Sequence, residues 1–276
     1  MGDEKNRYID VWDKVAPTFS KIGPAYWQEF GYRLVELSSI SKGKRILDIG
    51  MGRGASLFPA INRIGDSGYG VGIDISEVMV RETKKDIEEK KIKNIEVMKM
   101  NAEKLIFDNN YFDNITCGFG IGYLLASDSK LKELLRVLKE GGQAAFSVWA
   151  VQEDQKWLFE ITNRYLADKI QNSDNNKKSE IPKFNTIEDM EKILKVIGFK
   201  NVKVHEEYTD VVYGSEEEWW LEMWSNAARV TFERIEESGS DKFNEFKQEV
   251  FNGLGNYKKE DGIHFNMLVI YAYGEK

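Results

Sequence analysis

The sequence predicts an α/β fold built on a mostly parallel sheet. Three observations predict it. Short apolar runs, such as Arg45-Ile46-Leu47-Asp48-Ile49 and Gln143 to Trp149, have strand length. Amphipathic stretches of roughly 10–15 residues separate such runs. A glycine-rich segment, Gly50-Met51-Gly52-Arg53-Gly54, joins the first run to the stretch after it.

The elements follow in order. Tyr8, Val11, Trp12, Val15 and then Tyr26, Trp27, Phe30, Leu34, Leu37 recur at helical spacing, and Pro17 and Gly23-Pro24 divide them into at least two helices. Arg45 to Gly50 is a buried strand, 55–64 a helix, Tyr69 to Ile73 a second strand and Glu77 to Lys91 a charged amphipathic helix. Ile95 to Met100 and Asn114 to Cys117 are strands three and four, followed by a helix over 128–139. Gly141-Gly142 marks a turn into strand five, Gln143 to Trp149. After Trp149 the rhythm changes. A helix over 155–170 leads into the polar stretch 171–178, read as a loop, and a helix over 186–197 ends at Gly198, a C-cap residue. Val202 to Tyr208 is a strand, 215–237 and 241–252 are helical, and Phe265 to Tyr273 is the last strand.

Composition narrows the function. The 276 residues hold 39 basic and 46 acidic side chains, a net charge of −7, which argues against binding nucleic acid mainly through phosphates. With 42% hydrophobic and 12% aromatic residues the chain has material for a core, so a disordered protein is excluded. One cysteine, Cys117, excludes a disulfide framework and any multi-thiolate metal site, and two histidines, His205 and His264, leave few ligands for zinc. No metal is expected. The first ten residues are charged and no apolar run nears the ~20 residues that span a bilayer, so the expectation is a soluble, cytoplasmic protein without membrane contact.

Two motifs bear on a ligand. Gly50, Gly52 and Gly54 follow strand one and open a helix, where bare backbone N–H groups can approach a bound group. A tight turn in any α/β fold would carry the same glycines, and Gly50, Gly52 and Ala55 also fit the dinucleotide pattern G-x-G-x-x-A. Asp74 ends strand two, 20 residues past Gly54, where a carboxylate can accept both hydroxyls of a ribose or can cap the next helix.

Three further segments separate the possibilities: Asn101-Ala102-Glu103-Lys104-Leu105 after strand three, Asp113 to Gly120 over strand four, and Leu135-Arg136-Val137-Leu138-Lys139-Glu140-Gly141-Gly142 before strand five. With the glycine loop and Asp74, this ordered set resembles the class I S-adenosylmethionine (SAM)-dependent methyltransferases over residues 44–149. Glu140 stands where that family usually has proline, and Asn101 where it usually has aspartate. More narrowly the chain looks like the ubiquinone/menaquinone-type small-molecule branch and its aklanonic acid methyltransferase-like group. The segments carrying that likeness are Trp12-Asp13, Ala16-Pro17, Gly23-Pro24, Leu57-Phe58-Pro59-Ala60, Cys117-Gly118-Phe119-Gly120 and Glu217-Glu218-Trp219-Trp220.

The resemblance implies a Rossmann-like, seven-stranded, mostly parallel sheet in the order 3-2-1-4-5-7-6 with the last strand antiparallel. A helical N-terminal lid would occupy residues 1–40. The SAM-binding domain would occupy 41–276, with helical insertions at about 153–185 and 215–252. The cofactor would be SAM. Asp48, Gly50, Gly52 and Gly54 would face its methionine and ribose, Asp74 the ribose hydroxyls, and Ile75 and Met79 the adenine. Asn101 and Ala102 would meet the adenine amino edge, and Cys117 and Gly118 the methionine ammonium. Tyr8, Trp12 and Phe19 would close over the cofactor or simply pack the core. Tyr123 and His264 are the candidates to contact or deprotonate an acceptor. The partner would be a small-molecule acceptor, apolar or aromatic, of natural-product type. The sequence does not specify the acceptor, the atom methylated or the oligomeric state. Trp219, Trp220 and Trp224 would line an acceptor pocket or pack a helix face. Two other classes stand beside this reading: an NAD-dependent oxidoreductase on the same loop, for which no Tyr-x-x-x-Lys pair follows strand four, and a SAM-binding protein without turnover.

Overall fold

The computed structural model describes residues 10–125, 128–171 and 183–276. Residues 10–15 are helical, and the first complete helix is α1 (Tyr26–Leu37). Then follow β1 (Arg45–Ile49), α2 (Leu57–Ile64), β2 (Tyr69–Asp74), α3 (Glu77–Glu89), β3 (Ile95–Lys99) and β4 (Phe112–Gly118). Next come α4 (Ile121–Leu125), α5 (Asp128–Val137), β5 (Leu138–Trp149), α6 (Lys156–Gln171), α7 (Ile187–Ile197) and β6 (Lys200–Tyr213). The chain ends with α8 (Glu216–Trp224), α9 (Arg229–Glu236), α10 (Ser240–Leu254), β7 (Lys258–Lys259) and β8 (Gly262–Glu275).

The sheet runs β3-β2-β1-β4-β5-β8-β6, with β7 paired to β8 outside that path. β1, β2, β3, β4 and β5 are parallel, and β8 is antiparallel to β5. This is the expected topology. The two-residue β7, too short to leave a sequence signal, raises the number of the last strand by one. β1 is buried from Ile46 to Ile49 on both faces, which explains why it reads as a continuous apolar run rather than an alternation.

Several boundaries differ from expectation. β5 begins at Leu138, so Gly141-Gly142 lies inside the strand and not in a turn before it. A register shift between Phe112 and Asn114 on β4 absorbs the extra residues, and Gly141 takes a φ of 73° there. The expected helix 215–237 is two helices, because the Asn226 side chain accepts from the Ala228 N–H at 2.7 Å and diverts the backbone. β6 and β8 are each 14 residues long, beyond the expected strands, and α4 was not foreseen. Tyr8 lies outside the described residues, as does the polar stretch after Gln171.

Two compact units divide the chain. The sheet unit comprises Tyr26–Val151, Ile181–Glu207 and Leu268–Lys276. Its core lies on both sides of the sheet: Ile49, Ile73, Phe112, Phe146 and Leu194 on one side, and Val35, Ile46, Leu57 and Ile61 on the other. The helical unit comprises Met1–Ala25, Gln152–Glu180 and Tyr208–Met267. It is organised by rings: Trp220 stacks on Phe232 at 4.8 Å and meets Phe243 and Phe246 at 5.9 and 6.0 Å. Trp219 and Trp220 are buried, so in this unit they are packing residues. No described helix is long and apolar enough to cross a membrane.

Candidate functional site

The site is built from the turn after β1. Gly50, Gly52 and Gly54 have φ of 65°, 50° and 81°, the left-handed region where a side chain is strained. At Gly54 a Cβ would also meet the Phe58 ring at 2.6 Å. At Gly50 it would meet nothing within 4 Å, so open space borders the backbone there. The Met51 N–H donates to the Ile73 carbonyl at 3.0 Å, and the Thr83 hydroxyl donates to the Gly52 carbonyl at 2.8 Å. The loop is thus tied to β2 and α3.

Two carboxylates flank it. Asp48 is fully buried and accepts from the Ser56 hydroxyl at 2.9 Å and the Thr116 hydroxyl at 2.7 Å. Burial pushes its carboxyl up to about 7; the hydroxyls of Thr116 and Ser56 oppose this and the charge of Asp74 adds to it. Asp74 accepts the Gly52 N–H and the Ser76 N–H, each at 2.9 Å. A carboxylate can accept about four hydrogen bonds, and at Asp74 two of them come from the loop and from Ser76. Ser76 also caps α3, its hydroxyl accepting the Met79 N–H at 3.0 Å. Of the two roles weighed for this stretch, the helix cap falls to Ser76 rather than to Asp74.

Other expected residues fall out as follows. Ile75 is half-buried, while Met79 is buried in the core. Asn101 is exposed; its side chain accepts the Glu103 N–H at 3.0 Å and donates to the Glu103 carboxylate at 3.1 Å, beside half-buried Ala102. Cys117 is buried, and burial, with Asp48 and Asp74 nearby, pushes its thiol up, so it is not a nucleophile. Gly118 ends β4; a Cβ there would lie 3.6 Å from the Ser147 hydroxyl and 3.8 Å from that of Ser56. Tyr123 is on α4, 47% exposed, with its carbonyl accepting from Lys130 at 2.8 Å. Asp48, the glycines, Asp74, Asn101, Cys117, Gly118 and Tyr123 all belong to the sheet unit.

Trp12, Phe19 and His264 belong to the helical unit. Trp12 and Phe19 meet edge to face at 5.6 Å. His264 Nδ1 is 2.9 Å from the Asp210 carboxylate and Nε2 is 2.8 Å from that of Asp261. Asp210 first and then Asp261 raise its pKa, and both ring nitrogens are engaged by carboxylates.

Sequence reading missed the groups that hold these residues. Ser56, Thr116 and Thr83 are ordinary hydroxyls in sequence; only the β1–β4 register, which sets Asp48 against Thr116, makes one of them a partner. It also missed a ring cluster beyond the ends of β4 and β5. Phe119 lies 4.5 Å from Trp149, 5.3 Å from Trp27 and 5.9 Å from Phe30. Its one available signal was a pair of aromatics at the ends of adjacent strands, Phe119 just past β4 and Trp149 the last residue of β5. Among the described residues no group of three metal-ligating side chains is gathered.

The arrangement sets a left-handed glycine loop, bordered by open space at Gly50, beside two acidic side chains, Asp48 and Asp74, which favours a cationic ligand. Comparison with known proteins is consistent with this. The model of the ubiE/COQ5 methyltransferase family matches residues 12–215. Aklanonic acid methyltransferase DauC of Streptomyces sp. strain C5 is 34% identical over 143 residues, 52% of this chain and 65% of that protein. A demethylmenaquinone methyltransferase of Listeria welshimeri is 31% identical over 147 residues, 48% of this chain and 61% of that protein. The matched stretch thus spans less than two thirds of either relative. In fold, the YcgJ protein of Bacillus subtilis superposes with a TM-score of 0.59 at 17% identity, covering 90% of this chain and 98% of that one.

Proposed function

The chain belongs to the ubiE/COQ5 methyltransferase family, and on that premise we propose that it transfers a methyl group from SAM to a small-molecule acceptor. The observation that carries the reading is the bond from the Gly52 N–H to Asp74, which locks a left-handed glycine loop to the carboxylate at the end of β2. The residues present fit the cofactor. Open space borders Gly50, a bare Gly118 lies beside the Ser56 hydroxyl, and the Asp74 carboxylate at the loop suits the sulfonium and ammonium of the cofactor's methionine end.

When bound, SAM supplies a methyl already activated by its sulfonium, so the reaction needs alignment more than acid–base help. The chain's part is then positional. Asp74 accepts the ribose hydroxyls, the bare backbone of the 50–54 loop borders the methionine end, and the segment at Cys117-Gly118 offers backbone carbonyl to the ammonium. Asn101 and Ala102 border the adenine with Ile75. The acceptor is apolar or aromatic and approaches in line with the sulfur–methyl bond from the side of β4 and β5, where an open α/β sheet leaves its crevice. Tyr123 is the exposed side chain of α4 available to meet it.

Isothermal titration of SAM, S-adenosylhomocysteine and NAD tests the reading. SAM and S-adenosylhomocysteine bind and NAD is silent; micromolar NAD binding without a SAM signal would overturn it. A protein that binds SAM yet methylates nothing in a mass-spectrometric acceptor screen would be a SAM-binding protein without turnover.

A further inference from the structure

The sheet unit holds a buried polar group without a partner and a strained aromatic residue, and the two are adjacent. The Ser147 hydroxyl is fully buried and makes no hydrogen bond. A buried hydroxyl left unpaired is costly, and proteins retain few of them. Ser147 lies opposite Gly118 across the β4–β5 register, and the missing Cβ of Gly118 leaves space beside its Oγ. The next residue, Phe119, has a φ of 55°, a conformation L side chains rarely take, and its N–H donates to the Ser147 carbonyl at 2.9 Å. Such strain collects at ligand sites. With a glycine on each side of Phe119, this segment is also one that can shift at small backbone cost.

The strained residue aims its ring into the cluster described above. Tyr26 and Phe30 are buried and form its back, whereas Trp27, Phe119 and Trp149 are half-buried and keep ring surface accessible. Ser147 and Trp149 are two residues apart on β5, so both project from the same face. The unpaired hydroxyl and the ring of Trp149 thus lie on one face of β5, beside Phe119, whose ring meets those of Trp27 and Trp149.

We propose that Trp27, Phe119, Trp149 and Ser147 form the acceptor subsite, the rings taking the face of a planar aromatic acceptor and the Ser147 hydroxyl donating to an oxygen attached to that ring. The proposal rests on the methyl-transfer reading. Aromatic walls select flat, polarisable ligands. A single buried donor then discriminates an oxygenated ring from its hydrocarbon, because only the first satisfies the hydroxyl. Ser147 is a specificity residue here and takes no proton.

The test is isothermal titration of 1-naphthol and of naphthalene into protein saturated with S-adenosylhomocysteine, repeated without it. Wild type should bind 1-naphthol the more tightly. Ser147→Ala should weaken 1-naphthol about tenfold and leave naphthalene unchanged. Phe119→Leu and Trp149→Leu should weaken both probes by a similar factor, with melting temperature and S-adenosylhomocysteine affinity serving as checks on folding and on the cofactor half. Equal loss of both probes in Ser147→Ala, or no loss of either, overturns the proposal. So does a wild type that binds S-adenosylhomocysteine but neither probe. Should wild type fail to bind S-adenosylhomocysteine, the methyl-transfer reading falls, while the titration without it still decides whether Ser147 reads the oxygen.

Discussion

Asp74 carries two duties at the residue scale. It accepts the Gly52 N–H and so shapes the loop, and it is the group assigned to the ribose. Asp74→Ala should therefore cost on the order of 1.5–3 kcal/mol of SAM affinity by isothermal titration, with the circular dichroism of the folded chain retained. Unchanged affinity in a folded variant would remove the ribose assignment. Asp48 makes a prediction about pH. Its carboxyl is raised from 3.8 to about 7 in the folded chain, chiefly by burial. A raised carboxyl means that the folded state holds its proton more tightly than the unfolded chain. Stability is thus lost as pH climbs from about 4 towards 7. Asp48→Asn removes this titration. In calorimetry between pH 5 and 8, the melting temperature of wild type should fall relative to that of Asp48→Asn as pH rises.

At the scale of single elements, α8 shows how a surface-looking motif becomes interior. Its first turn carries Glu216, Glu217 and Glu218, favoured at the positive end of the helix dipole, and Ser215 caps it by accepting the Glu218 N–H at 3.1 Å. Its far side puts Trp220 against Phe232, Phe243 and Phe246. Trp220→Ala should cost roughly 3–5 kcal/mol of stability in denaturant unfolding and leave S-adenosylhomocysteine affinity at the wild-type value; a shift in acceptor kinetics without loss of stability would return Trp220 to a binding role. β8 carries the second element-scale prediction. His264 ties it to Asp210 on β6 and to Asp261 in the turn before it. Its pKa is raised, so the clamp is complete below the ordinary value of 6.5 and is lost as pH rises through the higher, folded value. An NMR titration should place the imidazole midpoint above 6.5, and Asp210→Asn should lower it.

For the whole molecule, the residues proposed to hold the cofactor gather in one of the two compact units. Every cofactor residue retained in the proposal lies between Asp48 and Gly118, inside the sheet unit. S-adenosylhomocysteine at a hundred times its Kd should stabilise the protein by about 2.7 kcal/mol. Hydrogen-exchange protection should concentrate in 50–56 and 74–79, with the interior of the helical unit, 229–254, little changed. Protection strongest in 229–254 would contradict this placement.

The sequence by itself determined the five strands from Arg45 to Trp149, the glycine loop and the Asp74 position. Each is a local signal: an apolar run, a residue type that tolerates positive φ, a carboxylate at a strand end. It also determined the family likeness, because those signals come in a fixed order. Tertiary structure decided everything that depends on what lies across the sheet. Asp48 meets Thr116, 68 residues away, through strand register. Ser147 faces Gly118, and Trp27 on α1 meets Phe119 and Trp149, for the same reason. Gly141-Gly142 looked like a turn because two glycines in sequence carry no mark of the bulge that accommodates them within β5. His264 carries no mark in sequence of the two carboxylates, one of them 54 residues distant, that meet its nitrogens. Periodicity and residue type are properties of neighbours along the chain, whereas register, burial and hydrogen-bond partners are set only when the strands are brought side by side.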